Sequence, residues 1–201
     1  MKIFKKTLIL FLAEVLMFTS SIFVLVSPAS AAKITRYTNR GGSSYYYSQA
    51  GWWNLGGNVR SGYNGCGITS FAISISVLRG KKITPYSVAK AAYNKKIWNL
   101  RGNTPRNLVP RLASYSGLSS RTISKNAKTM AKYLYYGYVL VIRASGSLPF
   151  TSGGHYVTVV GARSDGYFKV VDPGHSSYRP KWVHWRSFLS SMSGPTIFAL
   201  R

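Results

Sequence analysis

Cys66, the single cysteine of this 201-residue chain, is the residue best suited to covalent chemistry. It lies between Gly65 and Gly67 and opens a run in which apolar residues recur at three- and four-residue spacing as far as Leu78. That spacing predicts a helix ended by Gly80, with the cysteine in its first turn. Unpaired N–H groups and the helix dipole favour a thiolate there, which predicts a nucleophile. The alternative is a small buried apolar side chain.

His155 and Asp172 are the residues that could activate this thiol. They lie in two segments rich in Val and Tyr, 155–161 and 167–172, which predict antiparallel strands joined by a turn at 163–166. In an antiparallel hairpin whose loop has an even number of residues, two residues on opposite strands share a sheet face when their numbers add to an odd value. The numbers 155 and 172 add to an odd value, so an even loop would put both side chains on one face. The imidazole could then take the thiol proton while the carboxylate orients the ring. A core-edge histidine and a turn-capping aspartate before Pro173 are the alternatives.

The remaining elements predict how this pair is positioned. Thr84-Pro85 and Thr104-Pro105 each place a capping hydroxyl before a proline, which predicts two helix starts, the second made less secure by Pro110. We also expect a helix over 127–136, a strand over 138–143, a short helix over 185–192 and a final strand over 196–200. Because the helices precede the strands, the sequence predicts an α+β domain with N-terminal helices packed on a C-terminal antiparallel sheet.

The N-terminus predicts export. In residues 1–31, Lys2, Lys5 and Lys6 precede a long apolar run and the small-residue triplet 29–31, a pattern typical of a cleaved signal peptide. An uncleaved membrane anchor is the alternative. Residues 32–44 form a basic arm rich in Gly and Ser, and residues 45–201 are long enough for one domain.

The charge of the exported chain predicts its partners. Removal of the three N-terminal lysines and Glu14 from 27 cations and three acids leaves 24 cations against Asp165 and Asp172. We therefore expect electrostatic association with an anionic cell-wall polymer or membrane surface and no specific nucleic acid, for a secreted or cell-surface bacterial protein. No cofactor is expected. His175 and His184 lack neighbours at metal-ligand spacing, so no metal site is expected either.

Three motifs resemble the bacteriocin-processing (double-glycine) peptidase-like family of papain-like cysteine peptidases. They are Gly65-Cys66-Gly67-x-Thr69-Ser70, Gly154-His155-Tyr156-Val157 and Val170-Val171-Asp172-Pro173. The resemblance covers about residues 45–200 and implies a papain-like fold for this peptidase-like domain. It also implies that Gln49, in the aromatic-rich segment 47–53, donates a hydrogen bond to the oxyanion beside the Cys66 N–H. An ordinary surface amide is the alternative for Gln49.

The chain departs from the family at two points. Ile68 stands where the family usually has proline, and the family does not require so basic a protein. The resemblance implies an exported cysteine peptidase that hydrolyses peptide or amide bonds in a peptide or protein substrate. The family's transporter-linked members cut double-glycine leaders at the cytoplasmic face, so we do not expect an exported domain to share that substrate. The alternatives are a peptidoglycan peptide amidase or endopeptidase, and a non-catalytic cationic cell-surface-binding or antimicrobial protein.

Overall fold

A buried helix lying on an antiparallel sheet forms the centre of this protein. The computed structural model describes residues 45–50, 65–174 and 180–201, all of which belong to one compact unit, Lys33–Arg201. The predicted signal peptide (1–31) and basic arm (32–44) lie outside the described residues. Within the described ranges, no helix combines the length and the hydropathy that crossing a membrane requires.

The elements alternate between helices and strands after an all-helical start. In chain order they are α1 (Cys66–Arg79), α2 (Pro85–Asn94), α3 (Leu108–Tyr115), β1 (Ser120–Ile123), α4 (Ala127–Tyr135), β2 (Val139–Gly146), β3 (His155–Ala162), β4 (Tyr167–Val171), β5 (Lys181–His184), α5 (Trp185–Ser190) and β6 (Met192–Leu200). The strands form one antiparallel sheet in the order β1-β6-β2-β3-β4-β5. The predicted α+β class, with helices packed on an antiparallel sheet, is confirmed.

Helix α1 begins at Cys66 and ends before Gly80, as the apolar spacing predicts. Gly80 adopts the left-handed conformation at φ 62° and closes the helix with backbone hydrogen bonds. The predicted apolar ridge packs in one core cluster, whereas Ile73 and Val77 pack against Val160 and Val171 on the sheet. Because both sides are covered, α1 is buried from Cys66 to Val77 and is more central than an amphipathic surface helix.

Two prolines set the starts of the next helices differently. Helix α2 begins at Pro85, and the Thr84 side chain caps it by accepting a hydrogen bond from the Ser87 N–H, as expected. The predicted start at Thr104-Pro105 is wrong, because α3 begins at Leu108. A helix starting at Pro105 would place Pro110 in its interior, where proline removes a backbone hydrogen bond and clashes with the preceding turn.

The two edge strands, β1 and β5, are not predicted from the sequence. Each has only four residues, and neither carries a clear alternation of apolar and polar side chains. Strand β6 begins at Met192, earlier than expected, and the helix before it ends at Ser190. Pairing with neighbouring strands, rather than local composition, defines these elements.

A β-bulge in the β3–β4 hairpin determines which side chains share a face. Ala162 pairs with Phe168 next to the turn, but further along Val159 pairs with Val170, so the register shifts by one residue. The turn itself is closed by the Arg163 N–H donating to the Tyr167 carbonyl, which leaves an odd, three-residue loop containing Gly166 at φ 89°. The expectation of an even number of loop residues is therefore wrong. The extra residue in the bulge compensates for the odd loop and restores the shared face. The side chains predicted to share a face do pack together: Val157, Val159, Phe168 and Val170.

Candidate functional site

Cys66 is the first residue of α1 and its side chain is buried, with 6% of its surface exposed. The residue before it, Gly65, provides no side-chain cap. The first N–H groups of a helix have no intrahelical acceptors, so the start of α1 presents free donors beside the thiol. This arrangement can stabilise negative charge on sulfur or on an adjacent oxygen.

His155 and Asp172 are in direct contact. His155 is the first residue of β3, Asp172 follows the last residue of β4, and the His155 Nε2 lies 2.6 Å from the Asp172 Oδ1. The same oxygen accepts a hydrogen bond of 2.8 Å from the Gly174 N–H. With Nε2 bound to the carboxylate, Nδ1 is the ring nitrogen left to exchange a proton with another group.

The charge state of His155 depends on both neighbours. Burial by itself would lower the pKa of His155, but the hydrogen bonds to Asp172 and Cys66 and the negative charges of both residues raise the pKa to about 9. The imidazole therefore holds its proton at neutral pH. A protonated imidazole between a sulfur and a carboxylate can stabilise a thiolate by its charge and can later give up a proton.

Helix α1 is held on β3 close to this pair. The buried Thr158 hydroxyl donates a hydrogen bond of 3.0 Å to the Ser70 carbonyl in the second turn of α1. Near the start of α1, the helix approaches its surroundings so closely that a Cβ at Gly67 would lie 2.9 Å from Thr104 and 3.5 Å from Tyr156. Glycine at position 67 therefore permits the close packing that brings the helix start to the strand.

Gln49 lies in a short segment that bridges α1 and the residues after β4. Its backbone N–H donates to the Pro173 carbonyl at 2.9 Å, next to Asp172. The Tyr47 hydroxyl in the same segment lies 3.2 Å from the Ser76 hydroxyl of α1. The Gln49 side-chain oxygen is buried and has no hydrogen-bond partner among the residues that the structure describes. The segment thus places Gln49 beside the Asp172 loop, with a side-chain oxygen that has no partner among the described residues.

The remaining histidines lie elsewhere or outside the described residues. The His184 ring lies 5.2 Å from the Tyr167 ring and 5.8 Å from the Trp185 ring, on the edge strand β5. His175 falls outside the described ranges. In the described part of the chain, no group of three or more His, Cys, Asp or Glu side chains could hold a metal ion.

Gly174 is a neighbour of the pair that the motifs do not identify. A Cβ at this position would lie 3.1 Å from His155 Cε1 and 3.4 Å from Asp172 Oδ1. The local signal is the Asp172-Pro173-Gly174 sequence, which is typical of a turn. The absence of a side chain here leaves the imidazole room to lie against the carboxylate.

The comparisons with known proteins agree with this architecture. The model of the Peptidase_C39 like family matches residues 44–191, which is most of the chain. No curated protein matches. The peptidase domain of Streptococcus ComA, a bifunctional ABC transporter involved in quorum sensing, is 18% identical, with 77% of this chain and 97% of that domain covered and a TM-score of 0.51. At this identity the similarity to ComA shows the fold.

Two further structures are similar at lower scores. A double glycine motif protease from an AMS/PCAT transporter, solved with the leader peptide, is 14% identical over 78% of this chain and 99% of its own, with a TM-score of 0.47. A candidate C39-like peptidase from Bacillus anthracis is also 14% identical, over 79% of this chain and 95% of its own, with a TM-score of 0.48.

Proposed function

This chain belongs to the C39-like peptidase family and has its papain-like cysteine peptidase fold, and from that premise we propose that it is an exported peptidase acting through Cys66, His155, Asp172 and Gln49. The observation that carries the proposal is the 2.6 Å contact between His155 and Asp172, beside a cysteine whose hydrogen bond and charge act on the same imidazole. A nucleophile, a base and an orienting carboxylate then occupy three consecutive positions of one hydrogen-bonded chain.

The proposed reaction uses this chain of groups in two steps. The reaction starts with the proton of Cys66 already on His155, and the thiolate attacks the substrate carbonyl carbon. The C–N bond breaks as His155 returns the proton to the leaving amine, which leaves a thioester on Cys66. His155 then deprotonates a water molecule that attacks the thioester, releasing the carboxylic acid and restoring the thiol. In both tetrahedral intermediates the oxyanion accepts hydrogen bonds from the Cys66 N–H and the Gln49 side chain.

The raised pKa of His155 supports both halves of this cycle. At neutral pH the imidazolium stabilises the thiolate by its charge, and the proton it carries is the one the leaving amine needs. Asp172 keeps Nε2 occupied, so the exchangeable proton lies on the side of the ring toward Cys66. In the turn after β4, the Gly174 N–H donates a hydrogen bond to the Asp172 carboxylate and so holds it in place against His155 Nε2. This contact leaves Nδ1 of the ring available to exchange a proton.

Export and surface retention complete the proposal. Residues 1–31 have the pattern of a signal peptide, and the 24 cations against two acids in the rest of the chain favour attraction to an anionic cell wall or membrane surface. We expect binding to isolated cell walls to weaken steeply between low salt and about 0.5 M salt, because charges are screened over shorter distances as ionic strength rises. Binding that does not respond to salt would reject electrostatic retention.

Hydrolysis by the purified protein tests the enzymatic part. Wild type and the Cys66→Ala variant are incubated with a peptide mixture and with muropeptides, and products are identified by mass spectrometry. The proposal expects cleavage by wild type alone, and the muropeptide arm shows whether wall peptides are the substrate. Wall binding with no cleavage of either substrate class would instead favour a non-catalytic cationic binding protein.

Alkylation of Cys66 provides a second test that needs no substrate. We expect rapid iodoacetamide modification at neutral pH in wild type and slower modification in the His155→Ala variant, because the variant lacks the imidazolium that stabilises the thiolate. Equal rates in the two proteins over pH 5–9 would overturn the proposed pairing of Cys66 with His155.

A further inference from the structure

Two arginines border the candidate site and take no part in the proposed reaction. Arg143 pairs directly with Tyr156 in the β2–β3 register, and Tyr156 follows His155 in the chain. Directly paired residues of antiparallel strands project to the same face of a sheet. Since Tyr156 packs in the same core cluster as Cys66, Arg143 lies on the face of the sheet that α1 covers.

Arg143 reaches the end of the sheet where His155 lies, and Arg106 belongs to a turn that contacts Tyr156. A Cβ at Gly154, the residue before His155, would lie 4.0 Å from the Arg143 Nη2. Arg106 follows Pro105, whose carbonyl accepts a hydrogen bond of 3.5 Å from the Tyr156 hydroxyl. The two arginines therefore approach Tyr156 from two different elements, β2 and the turn before α3.

The charges of Arg143 and Arg106 act on the phenol of Tyr156, and so does the charge of Cys66. Burial raises the pKa of Tyr156 to about 12, with the negative charge of Cys66 adding to the rise and the positive charges of Arg143 and Arg106 opposing it. All three side chains are thus within electrostatic range of one ring.

Within the part of the chain that the structure describes, neither guanidinium is neutralised. Arg143 is half-buried and Arg106 exposed, and neither has an anionic or hydrogen-bond partner among the residues that the structure describes. Both carboxylates of the described chain are used elsewhere, because Asp165 pairs with Arg163 and Asp172 with His155. A half-buried guanidinium whose five donors have no partner among the described residues can bind an anion supplied by the substrate.

We propose that Arg143 and Arg106 form a carboxylate-binding subsite, so that the preferred substrates carry a carboxylate close to the scissile bond. This inference rests on the proposed function and deepens it by naming the substrate class. The carboxylate belongs to an Asp or Glu side chain or to the C-terminus of the peptide. Arginine suits this role because its planar fork can bind both carboxylate oxygens at once.

The overall charge would attract any acidic peptide, so the test must separate a subsite from general attraction. Arg186 offers a matched control, since it is an exposed arginine that stacks on Trp185 in α5, a helix whose Phe188 packs on the opposite sheet face. Arg186→Gln removes the same charge as Arg143→Gln or Arg106→Gln. General attraction should weaken equally in all three variants and should not depend on where the carboxylate lies in the peptide. A subsite should depend on the position of the carboxylate and should be lost only in the Arg143 and Arg106 variants.

The experiment measures binding and hydrolysis with paired peptides. Each pair differs by Glu against Gln next to the cleaved bond, by Glu against Gln at the far end, or by a free against an amidated C-terminus near that bond. We expect kcat/KM for wild type to fall about tenfold when the adjacent carboxylate is removed, the loss of one charge-assisted contact. The far-end pair should differ little. Arg143→Gln and Arg106→Gln should erase the preference, Arg143→Lys should keep part of it, and Arg186→Gln should keep it whole.

Binding to the Cys66→Ala protein separates failure of the subsite from failure of the proposed function. If wild type cleaves nothing, but Cys66→Ala binds a Glu peptide about tenfold more tightly than its Gln partner, and Arg143→Gln erases this difference while Arg186→Gln keeps it, the subsite stands without the enzyme. If peptides are cleaved or bound with no preference, or if Arg186→Gln weakens the preference as much as Arg143→Gln, the subsite is refuted. Arg106→Gln keeps the test open if Arg143→Gln does not fold, because Arg106 is exposed.

Discussion

Replacement of Asp172 by asparagine removes a charge while leaving the local hydrogen bonds in place. The Asp172 Oδ1 accepts from both His155 Nε2 and the Gly174 N–H. An asparagine oxygen can accept from the same two donors, so the ring keeps its orientation and loses only the negative charge next to it. Asp172→Asn therefore tests whether the carboxylate holds the proton on His155.

The expected magnitude follows from the pKa of His155. Its rise from 6.5 to about 9 corresponds to roughly 3 kcal/mol in favour of the imidazolium, after the opposing effect of burial. Of the effects that raise this pKa, the hydrogen bond to Asp172 is the largest and the Asp172 charge is the smallest, and the asparagine replaces a charge-assisted hydrogen bond by a weaker neutral one. We expect the substitution to lower the pKa of His155 by at least about 1 unit, which corresponds to about 1 kcal/mol.

NMR titration of the imidazole protons measures this change. Spectra of wild type, Asp172→Asn, Cys66→Ala and the double variant give the pKa of His155 with each negative neighbour removed in turn. His184, which lies between the Tyr167 and Trp185 rings, serves as an internal reference in the same spectra. A His155 pKa that stays within about 0.3 unit of wild type in Asp172→Asn would refute the reasoning.

The same shift predicts how stability depends on pH. Because folding raises the pKa of His155, the protonated ring contributes stability that is fully present below pH 6.5 and is lost as pH rises through about 9. Urea unfolding of wild type should show a falling free energy of unfolding across this range. Asp172→Asn should flatten the fall, and an equally steep fall in the variant would contradict the assignment of the effect to His155.

Three further substitutions have distinct expected outcomes, with Gly153→Ala as a shared control because a Cβ there meets no atom within 4 Å. Gly174→Ala should lower kcat about tenfold and should also lower stability at neutral pH, since the new Cβ, 3.1 Å from His155 Cε1, displaces the ring from its carboxylate; unchanged kcat would contradict this. Thr158→Val should cost about 1 kcal/mol in urea unfolding, because the buried hydrogen bond from β3 to α1 is lost; a neutral result would show that the bond does not stabilise the fold. Gly146→Ala should cost about 3 kcal/mol or more, because its φ is 143° and the Cβ would lie 1.9 Å from a backbone carbonyl oxygen; destabilisation no larger than that of Gly153→Ala would contradict it.

The local signals in the sequence predict α1 and α2 well, because their starts and ends depend on neighbouring residues. Gly80 adopts the left-handed conformation and Thr84 caps its helix through short-range contacts. The start of α3 is mispredicted because a second proline, Pro110, excludes the earlier start. The edge strands β1 and β5 escape prediction, since their identity depends on distant partners.

The contact between His155 and Asp172 is predicted correctly from an incorrect premise. The sequence suggests an even turn, whereas the three-residue loop would by itself put the two residues on opposite faces. The bulge in β3 adds one residue and reverses the parity, so the side chains meet. Turn signals cannot reveal the bulge because packing across both sheet faces fixes it. The arginines near Tyr156 have no local signal either, because β-strand pairing brings one of them there.

The segment that carries Gln49 has a consequence for how activity would be lost. The Tyr47 hydroxyl contacts α1, the Gln49 N–H donates to the Pro173 carbonyl, and the tyrosines of the segment pack against the cluster that α1 shares with β3 and β4. These tyrosines are only partly buried, whereas α1 is buried from Cys66 to Val77. A short, partly buried segment at the edge of a core opens at a lower free energy than the whole domain. On warming, activity should therefore disappear while the domain is still folded, and it should return on cooling without refolding.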